Sequence, residues 1–165
     1  MAQASRYQAN LQFVKVAAHL AHWSDMAQVF VDLLGPELKG KDGTVKTADV
    51  LAGKKRVCFY FSAHWCPPCR GFTPVLADAY SKYTGGDIEV IFVSSDRSED
   101  DFNSYYGSMP WKALPYANRD AKDALAKKFG VQGIPMLVVL DDGGNVTNPN
   151  ARGEVQQTTG LDCLK

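Results

Sequence analysis

Cysteine is scarce in this chain of 165 residues, with four in all, which excludes a scaffold built on disulfides. An excess of either charge is missing too. Eighteen Lys and Arg balance eighteen Asp and Glu, so nothing drives bulk electrostatic capture of nucleic acid or of an anionic membrane. No run approaches the ~18 consecutive apolar residues that a transmembrane helix requires. The start of the chain lacks the apolar core of a secretory leader. The expected compartment is therefore a reducing one, the cytoplasm, with the mitochondrion or nucleus as alternatives. Residues 1–25 carry Arg6 and Lys15 and no acid before Asp25, a faint likeness to a mitochondrial presequence with too little arginine. Internal repeats and low-complexity tracts are absent. Metal ligands are also short: zinc needs four, and Cys66 and Cys69 have no second pair to complete a site. Cys58 lies in an apolar run, Cys163 lies near Lys165, His19 and His22 lie near the start, and His64 is too close to Cys66 to share one ion easily. No metal is expected.

What is present is an ordinary globular composition, 45% hydrophobic and 22% charged, in a length that suits one cored domain. Phe13, Val16, Leu20, Trp23, Ala27, Phe30 and Leu34 recur at steps of three and four, one face of a helix, although Ser24 or Asp25 could cap a second, shorter one. Gly35-Pro36 closes this segment. The expected organisation is thus a helical extension over 1–34 and an α/β domain over 35–165. Within the latter, a short strand is expected at Thr44–Lys46 and a buried one over Arg56–Phe61 ("RVCFYF"). A helix follows through Phe72, Leu76 and Tyr83 to Gly85-Gly86, and then a strand over Ile88–Ser95. A helix capped by Ser98 and Asp101 precedes a helix from Asp120 to Gly130; Met136–Leu140 is a strand that turns through "DDGGN" into Val146. Strands alternating with helices and ending in a hairpin give an α/β fold, a mixed sheet flanked by helices.

The two neighbouring cysteines fall at a telling place in this layout. Cys66 ends the loop after a buried strand, and Cys69 lies in the first turn of the next helix. Pro67 and Pro68 suit that turn, where an N–H would have no partner anyway. The helix N-terminus supplies positive partial charge, which stabilises a thiolate at Cys66. One sulfur is then a nucleophile, while the second waits a turn deeper to resolve a mixed disulfide. A permanent structural disulfide would only stiffen a loop that the proline pair already stiffens.

"WCPPCRGFTP" resembles the active-site motif of tryparedoxins and nucleoredoxins, a branch of the thioredoxin superfamily. "FVSSDRSEDDFNSYYGSMPW" and "GVQGIPMLVVLDDGGNV" resemble the same branch in the same order, so the likeness covers about residues 35–165. It implies a thioredoxin-like fold with Cys66 as attacking thiolate and Cys69 as resolving thiol. Trp65 would shield the sulfur and form part of the substrate surface. Pro135 would be a cis-proline facing the dithiol, with the Ile134 backbone pairing to an extended substrate segment. Pro74 should kink the active-site helix. Arg152 matches an arginine near the substrate groove that would hold a carboxylate, or is a plain surface arginine. Arg70 would raise thiolate character, or be a solvated helix residue. Cys58 and the "MPW" of Met109–Trp111 are expected in the core and Cys163 as a free thiol. The family usually continues past the position of Lys165, implying a last element beyond it.

Two departures from the superfamily matter. Thioredoxins place an aspartate on the strand before the motif to take the proton of the resolving thiol, and here that position is Tyr60. A phenol with a reference pKa near ~10 is a poor base at neutral pH, so the proton is expected to leave through water, Asp96 or another group while Tyr60 donates a hydrogen bond or packs. Arg97 and Ser98 stand where trypanosomatid tryparedoxins carry acids, which favours the nucleoredoxin pattern and weakens the case for trypanothione as reductant.

The resemblance implies a thiol-disulfide oxidoreductase that reduces protein disulfides and contributes to cell redox homeostasis. Expected partners are protein disulfides such as those of peroxiredoxin-type peroxidases, with a low-molecular-mass dithiol or a flavoprotein reductase as electron donor. It would work as a monomer, with the redox-active disulfide Cys66–Cys69 and no bound cofactor. The alternative is a redox-regulated protein-binding module of nucleoredoxin type with little turnover.

Overall fold

A computed structural model describes residues 28–165. The helical face expected from Phe13 and the cap at Ser24 or Asp25 lie outside the described residues. The described chain begins with a helix at 28–34 (α1), which stops at Gly35, where φ is 87° and a side chain would be strained. Strands Glu37–Lys39 (β1) and Thr44–Lys46 (β2) form a hairpin that runs into a short helix, Thr47–Leu51 (α2). Then come Arg56–Ser62 (β3), Pro67–Lys82 (α3), Ile88–Ser94 (β4) and Glu99–Tyr106 (α4). Lys112–Ala113 (β5), Arg119–Lys128 (α5), Met136–Asp141 (β6), Val146–Asn148 (β7) and Arg152–Thr158 (α6) follow, with a last 3-10 turn at Asp162–Leu164.

The strands form one mixed sheet in the order β2-β1-β5-β4-β3-β6-β7. Central β3 runs parallel to β4, pairing Arg56 with Ile88 through Ser62 with Ser94, and antiparallel to β6. Period-two alternation divides the side chains of β3 between two cores. Cys58 and Tyr60 face a layer with Phe72, Leu76, Phe92, Phe102, Trp111 and Val155, under α3, α4 and α6. Val57, Phe59 and Phe61 face the other layer, with Leu38, Ile91, Val93, Leu125 and Val138. The expected core places of Cys58, Met109 and Trp111 are observed, all three at 1% exposure or less.

Phe30 and Leu34 belong to this second core, at 2% and 0% exposure, and the Phe30 ring meets Phe59 edge-on with centroids 6.4 Å apart. The boundary expected after residue 34 therefore cuts through packed structure. The aromatic face of β3 needs cover on that side, and α1 supplies it.

The long crossover from β3 through α3 to β4 brings the loop after Ser62 and the start of α3 to the carboxyl ends of the two central strands. In open α/β sheets this is where sites form. Among the described residues no helix is long and apolar enough to cross a membrane.

Candidate active site at the start of α3

Cys66 is the N-cap of α3, in extended conformation, with Pro67 and Pro68 in the first turn. Its Sγ accepts a hydrogen bond from the Cys69 N–H at 3.3 Å, the place a capping oxygen would fill. The two sulfurs are joined in a disulfide, with the Cα atoms 5.2 Å apart. Cys66 is 4% exposed and Cys69 fully buried. When reduced, a Cys66 thiolate would keep the Cys69 N–H and the free N-terminal dipole of α3, and both favour charge on sulfur.

The Ile134–Pro135 peptide bond is cis, and the Ile134 carbonyl oxygen lies 3.7 Å from Cys66 Sγ. Trp65 is 48% exposed beside the nucleophile. It is held there by its indole N–H, which donates to the Ser95 carbonyl at 3.0 Å, and by the Arg97 guanidinium 5.3 Å from its ring centre. The ring is therefore fixed at the surface by polar contacts and is not a core residue. Arg70 is exposed, and its guanidinium donates to the His64 carbonyl at 3.1 Å, closing the loop from behind.

Asp96 is nearly buried and fully occupied. One carboxylate oxygen accepts from the His64 N–H at 2.7 Å, the other from the Ser94 hydroxyl at 2.7 Å. It ties the loop after β3 to the end of β4, an arrangement that accounts for its burial without a proton-transfer role. Arg152 opens α6 and lies against α3, its guanidinium 5.8 Å from the Phe72 ring centre and its Nε buried without a partner. It thus sits half-buried rather than as a plain surface arginine. Helix α3 continues through Pro74, whose missing N–H leaves the Arg70 carbonyl without a ladder partner.

Beneath the dithiol lies Tyr60, fully buried. Its hydroxyl accepts from Ser62 Oγ at 3.0 Å, pairs with Thr73 Oγ1 at 2.8 Å and lies 3.4 Å from the Cys69 carbonyl oxygen. Thr73 Oγ1 donates to that same carbonyl at 3.1 Å and also pairs with the Tyr105 hydroxyl. Ser62 Oγ is 3.2 Å from the Tyr105 hydroxyl. Burial pushes the Tyr60 phenol well above its ordinary range. The residue is neutral at pH 7 and packs its ring against Phe72 and Trp111. Sequence reasoning found Tyr60 but not its partners. Ser62 was reachable, being two residues along the same face of β3, and Thr73 sits one helical turn after Cys69; nothing local pairs either with Tyr105.

Among the described residues no group of three or more His, Cys, Asp or Glu side chains is placed to hold a metal ion.

A family model described as thioredoxin-like matches residues 53–146. Nucleoredoxin of Bos taurus is 45% identical over 125 residues, 74% of this chain but 28% of its own length, so the chain spans well under half of that relative. Tryparedoxin of Trypanosoma brucei brucei is 46% identical over 120 residues, 72% of this chain and 82% of the relative. Among solved structures, tryparedoxin II complexed with glutathionylspermidine superposes with a TM-score of 0.73 at 39% identity, over 77% of this chain and 89% of that one.

Proposed function

The chain belongs to the thioredoxin-like family, in its tryparedoxin and nucleoredoxin branch, and on that premise we propose that it is a thiol-disulfide oxidoreductase acting on protein disulfides. The observation that carries the reading is the Cys66–Cys69 disulfide at the N-terminus of α3, beside the Ile134 carbonyl and Pro135. The reduced Cys66 thiolate attacks a substrate disulfide, forming a mixed disulfide and releasing one substrate thiol. Cys69 then attacks Cys66 Sγ and expels the second thiol, so two electrons pass to the substrate and the disulfide seen here is the product. Ile134 offers its backbone to an extended substrate segment, and Trp65 offers its exposed ring. Arg152 holds a substrate carboxylate only if its guanidinium turns away from Phe72.

A low-molecular-mass dithiol is the first donor class we propose; the glutathionylspermidine solved with a related tryparedoxin II carries a single thiol and supports only a glutathione-type thiol compound as the general kind of partner. A flavoprotein reductase is the other donor class, and peroxiredoxin-type peroxidases are the proposed substrates. We place this chemistry in redox homeostasis of the cytoplasm.

Turnover of insulin disulfides with dithiothreitol tests the reading, together with a Cys69→Ser variant that stalls the mixed disulfide. Catalytic rates in the wild type and covalent capture by the variant are expected. Stoichiometric capture without turnover would instead favour a redox-regulated binding module. Absence of both would sink the dithiol reading.

A further inference from the structure

The loop that carries Cys66 borders a surface cleft of about 320 Å³ between α3 and α4, lined by His64, Arg70, Thr73, Pro74, Tyr105 and Ser108. The chain itself joins this cleft to the nucleophile. His64 lies two residues before Cys66, and the Arg70 backbone N–H donates to the Cys66 carbonyl at 3.1 Å.

Most of the polar groups in the lining are already engaged. Thr73 donates to the Cys69 carbonyl, Ser108 to the Tyr105 carbonyl at 2.8 Å, and the Tyr105 hydroxyl pairs with Thr73. Two side chains are not. The exposed Arg70 guanidinium has five N–H groups and gives one Nη1 bond, to the His64 carbonyl. It has no carboxylate partner, since the ion pairs among the described residues are all made by lysines. His64 enters hydrogen bonds only through its backbone among the described residues, which leaves both ring nitrogens without a partner.

These two side chains are also held in place. The His64 N–H donates to Asp96 at 2.7 Å, its carbonyl accepts from Arg70 at 3.1 Å, and its ring stacks on Tyr105 with centroids 5.3 Å apart and planes 13° from parallel. Little ordering is then left for a ligand to impose. No acid lines the cleft. Asp96 is buried and bonded to the His64 N–H and Ser94, and Asp101, four residues before Tyr105 on α4, accepts from the Ser98 hydroxyl.

We propose that this cleft binds a carboxylate that the substrate carries beside its disulfide, with Arg70 and His64 as substrate-binding residues that select acidic over neutral disulfides. The inference rests on the dithiol reading above and gives it a substrate class. A carboxylate offers two acceptor oxygens, and the guanidinium and an imidazole N–H are donors that can share them. Two sources have this chemistry, an acidic side chain of a protein substrate and the carboxylates of a glutathione-type thiol.

The test is the second-order rate constant for oxidation of the reduced full chain by two matched pairs of disulfides. One pair is a disulfide peptide with Glu beside each cysteine and its Gln counterpart; the other is glutathione disulfide and its ethyl ester. The nucleophilicity of Cys66 is common to both members of a pair, so any effect of Arg70 on the thiolate cancels from their ratio. In at least one pair the acid should react roughly tenfold faster, the return of about one charge-assisted hydrogen bond, and the advantage should shrink at high salt. Arg70→Met should bring the ratio to within about twofold of one, with the guanidinium's charge and donors gone. His64→Phe, which keeps a ring on Tyr105, should lower it in the same direction, and Arg70→Lys, a charge without the planar fork, should leave it in between. Should Arg70→Met not fold, the other two variants carry the same readout. A preference confined to the peptides makes a protein side chain the occupant; one confined to the glutathione pair makes it the small thiol. A ratio near one for both pairs in the wild type overturns the proposal. So does a preference that Arg70→Met and His64→Phe leave intact, which would assign the carboxylate to Arg152. Failure of the wild type to react with any of the four disulfides would instead defeat the dithiol reading.

Discussion

Removing the hydroxyl of Tyr60 separates two accounts of how a thioredoxin-like protein works without its usual buried aspartate. Tyr60→Phe keeps the ring, which packs edge-on against Phe72 and Trp111, and deletes three polar contacts. Of these, the 3.4 Å approach to the Cys69 carbonyl is long and weak, while the 2.8 Å pair with Thr73 and the 3.0 Å bond from Ser62 are ordinary hydrogen bonds. Ser62 can turn its proton to the Tyr105 hydroxyl 3.2 Å away, so it is not left orphaned. At about 0.5–1.5 kcal/mol per net bond, the expected loss of stability is roughly 1–2 kcal/mol. The kinetic expectation follows from charge. A base must be deprotonated to act, and burial pushes this phenol further from deprotonation. Resolution by Cys69 should therefore fall less than about tenfold, against the 10²–10⁴-fold of a lost general base. Thr73 keeps its bonds to the Cys69 carbonyl and to Tyr105 in this variant. Stopped-flow resolution of a preformed mixed disulfide, with urea unfolding for stability, measures both quantities. A hundredfold defect in Tyr60→Phe would refute this reasoning and make the phenol the proton acceptor.

Truncation tests the packing of α1. A chain beginning at Met26 should fold and retain its reduction rate within a few-fold, whereas one beginning at Gly35 loses the buried Phe30 and Leu34. Two such side chains are worth about 1.5–3 kcal/mol each, much of a small domain's margin, so a cooperative urea transition in the shorter chain at the wild-type midpoint would contradict the core assignment. Mass-mapped iodoacetamide labelling of the reduced protein at pH 7 should modify Cys66 before Cys69 and spare Cys58, whose thiol is pushed well up by burial; labelling of Cys69 first would reverse the roles. Stability should fall as pH rises above about 9. Cys58, Tyr60 and Tyr80 are all pushed up by burial and Tyr106 to about 12. Each group raised in the folded state contributes fully below its unfolded pKa, ~8.5 for Cys and ~10 for Tyr, and loses that contribution toward the folded one. A urea midpoint that stays flat from about pH 8 to 11 would count against these burials, and Cys58→Val should flatten the first part of the decline.

The parts of this molecule that could be read from its sequence are those whose cause is local. The apolar run of β3, the proline pair after Cys66 and the Ser98 cap each contain their own reason, and each lies where the residues indicate. The elements that escaped, β1, α2, β5 and α6, are short and polar and exist because a neighbour completes them; β1 pairs at a single position with β5. Phe30 and Leu34 were visible as apolar residues on a helical face, but whether that face covers the domain or something else is a tertiary fact.

The candidate site shows the same division more sharply. Cys66, Cys69, Trp65 and Pro135 follow from motif and spacing, whereas the surroundings of Cys69 follow from contacts between β3, α3 and α4 that no local pattern reports. Asp96 was named by sequence proximity, and the bonds of its carboxylate to the His64 N–H and the Ser94 hydroxyl are visible only in the fold. The replacement of an acid by Tyr60 then has a physical sense. A buried carboxylate beneath the dithiol would cost desolvation energy and would repel a thiolate at Cys66, raising its pKa. Neutral hydroxyls satisfy one another and the Cys69 carbonyl at much lower cost, and they place no negative charge under the nucleophile. A site arranged in this way favours an acidic attacking thiol and offers the resolving one no charged base among these hydroxyls. The chemistry of the first step is thus gained at the expense of a strong base for the second.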